Sequence, residues 1–284
     1  MMRRVMTALA AGVVMQVSGA QILAADTSDS RQWLMMVRTV NTDPTKEREF
    51  NAWYDDIDIP DVLKVPGYWR ARRARTIQRP TSPATQTAGP QDQGHYVALY
   101  NIESPAIDKT IIDMLMATWK MLSEGRDTPL LRVTERTYYH EYAPVFNRST
   151  AEHENNKRFL VLERFDIAPN VDFHRFDSWY NRMYRNATSN VPGIVRATRY
   201  ELYRVLMFEP KYAPRFLTLF EIEVDSPDQA RSSAELLAHF DDKERASQGY
   251  VARESTLYAE IKDLRSTGKS TKEPVTRDAA LSRR

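Results

Sequence analysis

The sequence predicts an α+β protein in which one unit, ordered strand-helix-strand-strand-helix-strand, is written twice in tandem, the two copies closing on each other as a barrel. Three observations carry this expectation. The stretch FNAWYDDIDIPDVLKVPG (Phe50 to Gly67) is answered 126 residues later by FDSWYNRMYRNATSNVPG (Phe176 to Gly193). Short β-prone runs and helical stripes follow one another in the same order in both halves. Each unit, with its helices on one side of its sheet, leaves the other sheet face apolar, and a second sheet is what can bury it.

The single offset of 126 also matches Leu34 with Leu160, Arg38 with Arg164, Arg70 with Arg196 and Arg73 with Arg199 without a gap. Such self-similarity marks a repeat. In the first unit, WLMMVRTV (Trp33 to Val40) is short and apolar, a strand. From Pro44 to Val65, Phe50, Trp53, Tyr54 and Ile57 fall at i, i+3, i+4 and i+7, one apolar face of a helix. Pro60 marks an interruption or kink in it, and Pro66-Gly67 ends it. YWRARRARTI and HYVALYNIE are strands; Ile107 to Glu124 is a helix with Ile111, Leu115, Thr118 and Leu122 on one side; RVTERTYYHEY is the fourth strand.

The second unit repeats this with strands FLVLERFD, GIVRATRYELYRV, FLTLFEIEV and ARESTLYAEI, and helices over Val171 to Asn190 and Asp228 to Ser247. This order is the ferredoxin-like split unit. Tyr96, Tyr100 and Ile102, with Phe216, Phe220 and Ile222, are assigned to the uncovered sheet faces and so to the barrel interior. The expected boundaries are 31–146 and 158–262 for the two units, 147–157 for a linker and 263–284 for a disordered tail. Arg79 to Gly94, rich in Pro, Thr and Gln, is expected to be a mobile loop.

The chain start has the grammar of a signal peptide over residues 1–25: Arg3 and Arg4, then an apolar run from Val5 to Val17, then small residues. The run is shorter than the roughly 20 residues that span a bilayer. A cleaved, exported protein, periplasmic or secreted and without a stable membrane span, is therefore expected. Cysteine is absent from the sequence, which excludes disulfides and thiol chemistry. With 40 Lys+Arg against 38 Asp+Glu, charge gives no reason to expect nucleic acid. No GxGxxG or P-loop occurs, and the five histidines show no HxH or HExxH spacing, so neither a phosphate loop nor a metal site is expected. Oligomeric state stays open, a homo-oligomer included.

FNAWYDDIDIPDVLKVPGYWRARR resembles the helix-plus-PG-strand segment of the dimeric α+β barrel superfamily, and is most similar to EthD-like and related proteins. Trp53-Tyr54, Pro66-Gly67 and Arg73 carry the match. Asp58 stands where the family's IHIP-like phrase would put a histidine, and Tyr184 holds the paired place in the second copy. The resemblance covers Trp33 to Ile261 and implies an intramolecular form of that barrel. Some members of the superfamily bind haem through one histidine; nothing else here marks such a site, and no cofactor is expected.

Candidate chemistry follows from asymmetry and burial. Asp58 lies four residues after Tyr54 on one helical face and, if it borders a cavity, becomes a usable proton carrier; the alternative is an ion-pair face formed by Asp55, Asp56, Asp58 and Asp61 against Arg70 to Arg75. Arg73 and Arg199 could hold a carboxylate or enolate oxygen in a forked contact, or close ion pairs with Glu103, Glu141, Glu223 or Glu260. His140 is a candidate general base and His95 a substrate contact, with ordinary strand histidines as the alternative. Tyr54 and Tyr100 would orient a substrate. The reading is a cofactor-independent barrel enzyme moving a proton on a small apolar or aromatic molecule, as an isomerase, cyclase, lyase or cofactor-free oxygenase. The alternative is a non-catalytic barrel that binds a hydrophobic molecule or a protein partner.

Overall fold

The computed structural model describes residues 31–78, 95–142, 146–147, 157–208, 212–240 and 242–266. The proposed signal peptide, the loop 79–94, most of the linker and the tail beyond 266 lie outside the described residues. The strands are β1 (Arg31–Asn41), β2 (Tyr68–Gln78), β3 (His95–Ser104), β4 (Leu131–Glu141), the short β5 (Phe146–Asn147), β6 (Lys157–Ile167), β7 (Ile194–Phe208), β8 (Phe216–Val224) and β9 (Tyr250–Arg265). They pair antiparallel in the order β4-β1-β3-β2-β9-β6-β8-β7, and β7 pairs back onto β4. Eight strands thus close a barrel, with the seams at β2–β9 and β4–β7 joining the two halves.

The barrel interior is filled. Leu34 and Met36 of β1, Val97 and Leu99 of β3, Leu160 and Leu162 of β6, and Leu217 and Leu219 of β8 form its centre with Tyr139, Tyr200 and Tyr258. Ion pairs plug both ends: Arg164–Glu135 (2.9 Å) and Arg38–Glu254 (2.5 Å) at one, Arg72–Glu221 (3.0 Å) and Arg70–Asp263 (2.8 Å) at the other. This corrects the expected facing of the strands. Tyr96, Tyr100, Ile102, Phe216, Phe220 and Ile222 point outward, beneath the helices. An eight-stranded ring has an interior just wide enough for its side chains to fill, and here aliphatic residues take it while most rings pack in the sheet–helix layers.

The helices cover the outer face. In the first half α1 (Glu47–Trp53), a π-helical turn (Tyr54–Asp58) and α2 (Ile59–Leu63) run on without a break, followed later by α3 (Ile107–Ser123). Pro60 therefore does not stop the helix. It has no N–H to give the Asp56 carbonyl, and the ladder has already widened, with the Ile59 N–H bonding back to the Tyr54 carbonyl. In the second half lie α4 (Phe173–Asn190), α5 (Pro227–Ala238) and α6 (Asp242–Ser247), so the single last helix expected over 228–247 is divided. Strand β9 runs three residues into the stretch assigned to the tail, because Asp263 is needed to pair Arg70.

Both ProGly turns have the same cause. Gly67 (φ +95°) and Gly193 (φ +77°) sit in the left-handed region, and each carbonyl accepts the N–H of the neighbouring strand's glutamate, Glu103 (2.9 Å) and Glu223 (2.8 Å). A Cβ on Gly193 would meet Val224 at 2.5 Å, and one on Gly67 would meet the Glu103 carbonyl oxygen at 3.0 Å.

Candidate functional site

A cavity of about 260 Å³ lies in the first half, between the outer sheet face and the helices, not inside the barrel where the strand pattern predicts a chamber. The sheet supplies Met35 and Val37 of β1, Tyr100 of β3, and Val133 and Arg136 of β4. The helical arch supplies Trp53, Tyr54, Asp58 and Val62, and α3 adds Met114, Thr118 and Met121. Trp53 ties the arch to the loop between α3 and β4 by donating its indole N–H to the Arg126 carbonyl (2.7 Å), and Asp61 pairs with Arg126. The π-turn spans Tyr54 to Asp58, so the irregular piece of helix is the piece that presents both polar groups.

Asp58 is the chemical centre of the cavity. Burial pushes its carboxyl up to about 6, while a hydrogen bond from Tyr100 and the charges of Arg136 and Arg73 pull the other way. The Tyr100 hydroxyl donates to Asp58 Oδ2 (3.1 Å), and Tyr54 lines the same cavity beside them. Both phenols are held above their ordinary range, first by burial, so they stay protonated and serve as hydrogen-bonding groups. Arg136 faces the same space. Its Nε is buried without a hydrogen-bond partner, and no ion pair to it forms among the described residues.

No family model and no curated protein matches the sequence. Solved structures do match. The chain shares its fold with an anthrone oxidase-like protein. That likeness has a TM-score of 0.52 at 12% identity and covers 87% of this chain and 98% of the other. A candidate monooxygenase from Fusobacterium nucleatum aligns at TM-score 0.48 and 7% identity, over 83% of this chain and 95% of that one. A second candidate monooxygenase, from Lactobacillus acidophilus, aligns at 0.46 and 8%, over 84% and 97%. At these identities the likeness is one of α+β barrel fold.

Of the residues singled out in the sequence, the structure brings Asp58, Tyr54 and Tyr100 together at the cavity. It places the others elsewhere. Arg73 is fully buried between the Tyr54 ring (4.4 Å) and the Tyr96 ring (4.5 Å), bonded to Asp55 (3.1 Å) and Asn51 (2.6 Å). Arg199 repeats this in the second half with Asp177 (2.7 Å) and Asn181 (2.6 Å). Both arginines clamp a helix to its strand, so Arg73 reaches the cavity only through the ring of Tyr54. Their partners are helix residues, not the expected strand glutamates. His140 packs on Trp33 (5.0 Å), and burial lowers its pKa. His95 starts β3 opposite Val40. Neither histidine lines the cavity.

Sequence reasoning misses Arg136. Its signal is parity: it lies two residues before Tyr138, whose side chain is buried under the helices, and so shares that face. Among the described residues, no group of three His, Cys, Asp or Glu side chains could hold a metal, and no helix is long and apolar enough to cross a membrane.

Proposed function

We propose that the protein is a cofactor-independent enzyme that moves a proton on a small, largely apolar or aromatic molecule held beneath the first helical arch. The observation that carries this reading is Asp58, a half-buried carboxyl raised to about 6 at a largely apolar cavity and hydrogen-bonded to Tyr100. A carboxylate needs a pKa near the working pH to act as a general base. In the committing step Asp58 takes a proton from an acidic C–H or O–H of the substrate, the electron pair stays on the substrate, and Tyr100 steadies the carboxyl. Return of the proton at another atom gives isomerisation; attack of the electron pair on a carbonyl carbon of the same molecule, whose oxygen then takes the proton, gives cyclisation; departure of a leaving group that takes the proton gives elimination. Attack of the resulting carbanion on dioxygen as co-substrate, forming a C–O bond and a peroxide that takes up the proton, gives oxygenation. The fold shared with an anthrone oxidase-like protein is compatible with the second course.

Anthrone in D2O is a direct probe. Without oxygen, the full protein is expected to speed deuterium exchange at the anthrone methylene, on a limb rising with pH around 6, and Asp58→Asn to slow it about 100-fold or more. Exchange that Asp58→Asn leaves unchanged overturns the assignment. Stoichiometric binding with no exchange favours the non-catalytic barrel.

The ungapped offset supports reading the two halves as tandem ferredoxin-like copies akin to EthD-like barrels. The basic start, apolar run and small residues support export. A mature N-terminus found at Met1 would overturn export.

A further inference from the structure

We propose that the ligand of this cavity carries one anionic oxygen, as an enolate, phenolate or carboxylate, on its apolar body, and that Arg136 binds that oxygen. This rests on the cavity being the substrate site. The other arginines of the fold set the pattern. The six that are buried among the described residues each meet a carboxylate: Arg70 with Asp263, Arg72 with Glu221, Arg73 with Asp55, Arg164 with Glu135, Arg199 with Asp177 and Arg245 with Glu163. Arg136 is only half-buried, yet it is drawn partly out of water with no ion pair among the described residues, and a cation so placed without a counter-charge is costly. Arg136 lines the cavity; its Nε is buried and unbonded like those of Arg72, Arg73, Arg164, Arg199 and Arg245, so the missing ion pair is what distinguishes it.

Asp58 attracts Arg136 but forms no ion pair with it among the described residues. The guanidinium is thus left with donors for a ligand, and its planar fork suits a carboxylate or enolate oxygen. The second half agrees. Aligning Thr137 to Tyr142 with Thr256 to Ile261 puts Ser255 at the place of Arg136, and Tyr184 stands at the place of Asp58. Cation and acid are absent together. The two side chains then play complementary parts, Asp58 accepting the proton while Arg136 holds the oxygen on which negative charge settles.

Calorimetry on the full chain at pH 7.5 tests this with 2-naphthoate, 2,4-dinitro-1-naphtholate and the neutral 2-naphthamide. At least one anion is expected to bind about tenfold or more tighter than the amide. Arg136→Met should erase that preference while leaving amide affinity within about twofold, and Arg136→Lys should keep part of it. Preference for the carboxylate alone or the naphtholate alone supports the proposal and names the oxygen. The proposal fails if wild type binds the amide as tightly as both anions, if Arg136→Met weakens all three alike, or if none binds. These readouts do not involve turnover. A failed proton-transfer reading would leave the anion preference intact, whereas a failed anion site would leave Asp58-dependent exchange intact.

Discussion

The two helix-to-sheet layers share a plan and differ in what fills them. In the first half, Asp58, Tyr54, Tyr100 and Arg136 surround empty volume. In the second, the same region is occupied. Tyr184 stands for Asp58, Phe220 for Tyr100 and Glu163 for Val37. The rings of Phe165, Tyr180 and Tyr250 pack on one another, with Phe165 4.9 Å from Tyr180 and 4.7 Å from Tyr250, and the buried Glu163–Arg245 pair (2.6 Å) closes beside them. The second layer pairs its buried charges, Glu163 with Arg245 and Asp177 with Arg199, although the Trp179 Nε1 and the Tyr250 hydroxyl stay unbonded; the first leaves a carboxyl raised by burial and a guanidinium with no ion pair among the described residues. Packing density is the default of a protein interior. The half that departs from it is therefore the half to suspect of function.

Carrying the first-half residue into the second should produce the largest effect. Tyr184→Asp removes a ring that is 1% exposed and leaves a carboxylate among aromatics, with Arg199 already held by Asp177. A loss of about 4 kcal/mol or more is expected from the cavity and the buried charge together. Urea unfolding measures it. A loss under about 1 kcal/mol would mean that the second layer is as tolerant of a carboxyl as the first, and the contrast would collapse.

Within the first half, Asp58→Asn should act in the opposite direction. The carboxyl is raised from 3.8 to about 6 in the fold, so between those values the native state binds more protons than the unfolded chain. Stability contributed by this group is then full below pH 4, lost as pH rises to about 6, and level above that. A rise of that size corresponds to about 3 kcal/mol. Asp58→Asn is expected to be more stable than wild type by up to that amount at pH 8 and equal to it below pH 4. Denaturation midpoints across pH 4–8 check the slope. A destabilised variant at pH 8 would identify Asp58 as a structural ion-pair member, the bland alternative the acidic helix always offered.

How much of this was legible follows from what leaves a mark in a sequence. Trp53-Tyr54 and Pro66-Gly67 recur in the second half because both helices pack on a sheet and both turns need φ above zero, so the repeat and the element order could be read. Asp58 could be suspected because it is one turn from Tyr54, although its bonded partner proved to be Tyr100 on β3. The facing of the strands could not be read. In a run such as Trp33 to Val37 both faces are buried, one by the barrel and one by the helices, so the period-2 signal that distinguishes them is absent. The cavity is a volume without atoms, bounded by residues from seven elements, and no short stretch encodes it. Arg136 became visible only once the face of β4 was known.

The smallest net effect is expected from a paired exchange in the part that the two halves hold in common. Each buried arginine clamp takes one acid and one amide from its helix, but in reverse order: Asn51 then Asp55 for Arg73, Asp177 then Asn181 for Arg199. If the clamp needs only one negative charge and one neutral acceptor, their order is free. Asp55→Asn alone leaves Arg73 buried without a carboxylate and should cost about 3 kcal/mol or more. Adding Asn51→Asp rewrites the first clamp in the order of the second and should restore stability to within about 1 kcal/mol of wild type. Because Arg73 reaches the cavity only through the Tyr54 ring, the double variant should also keep its anion preference. A rescue of stability that left ligand binding impaired would show that the position of the charge beneath Tyr54, and not merely its presence, tunes Asp58, and the clamp would then belong to the site.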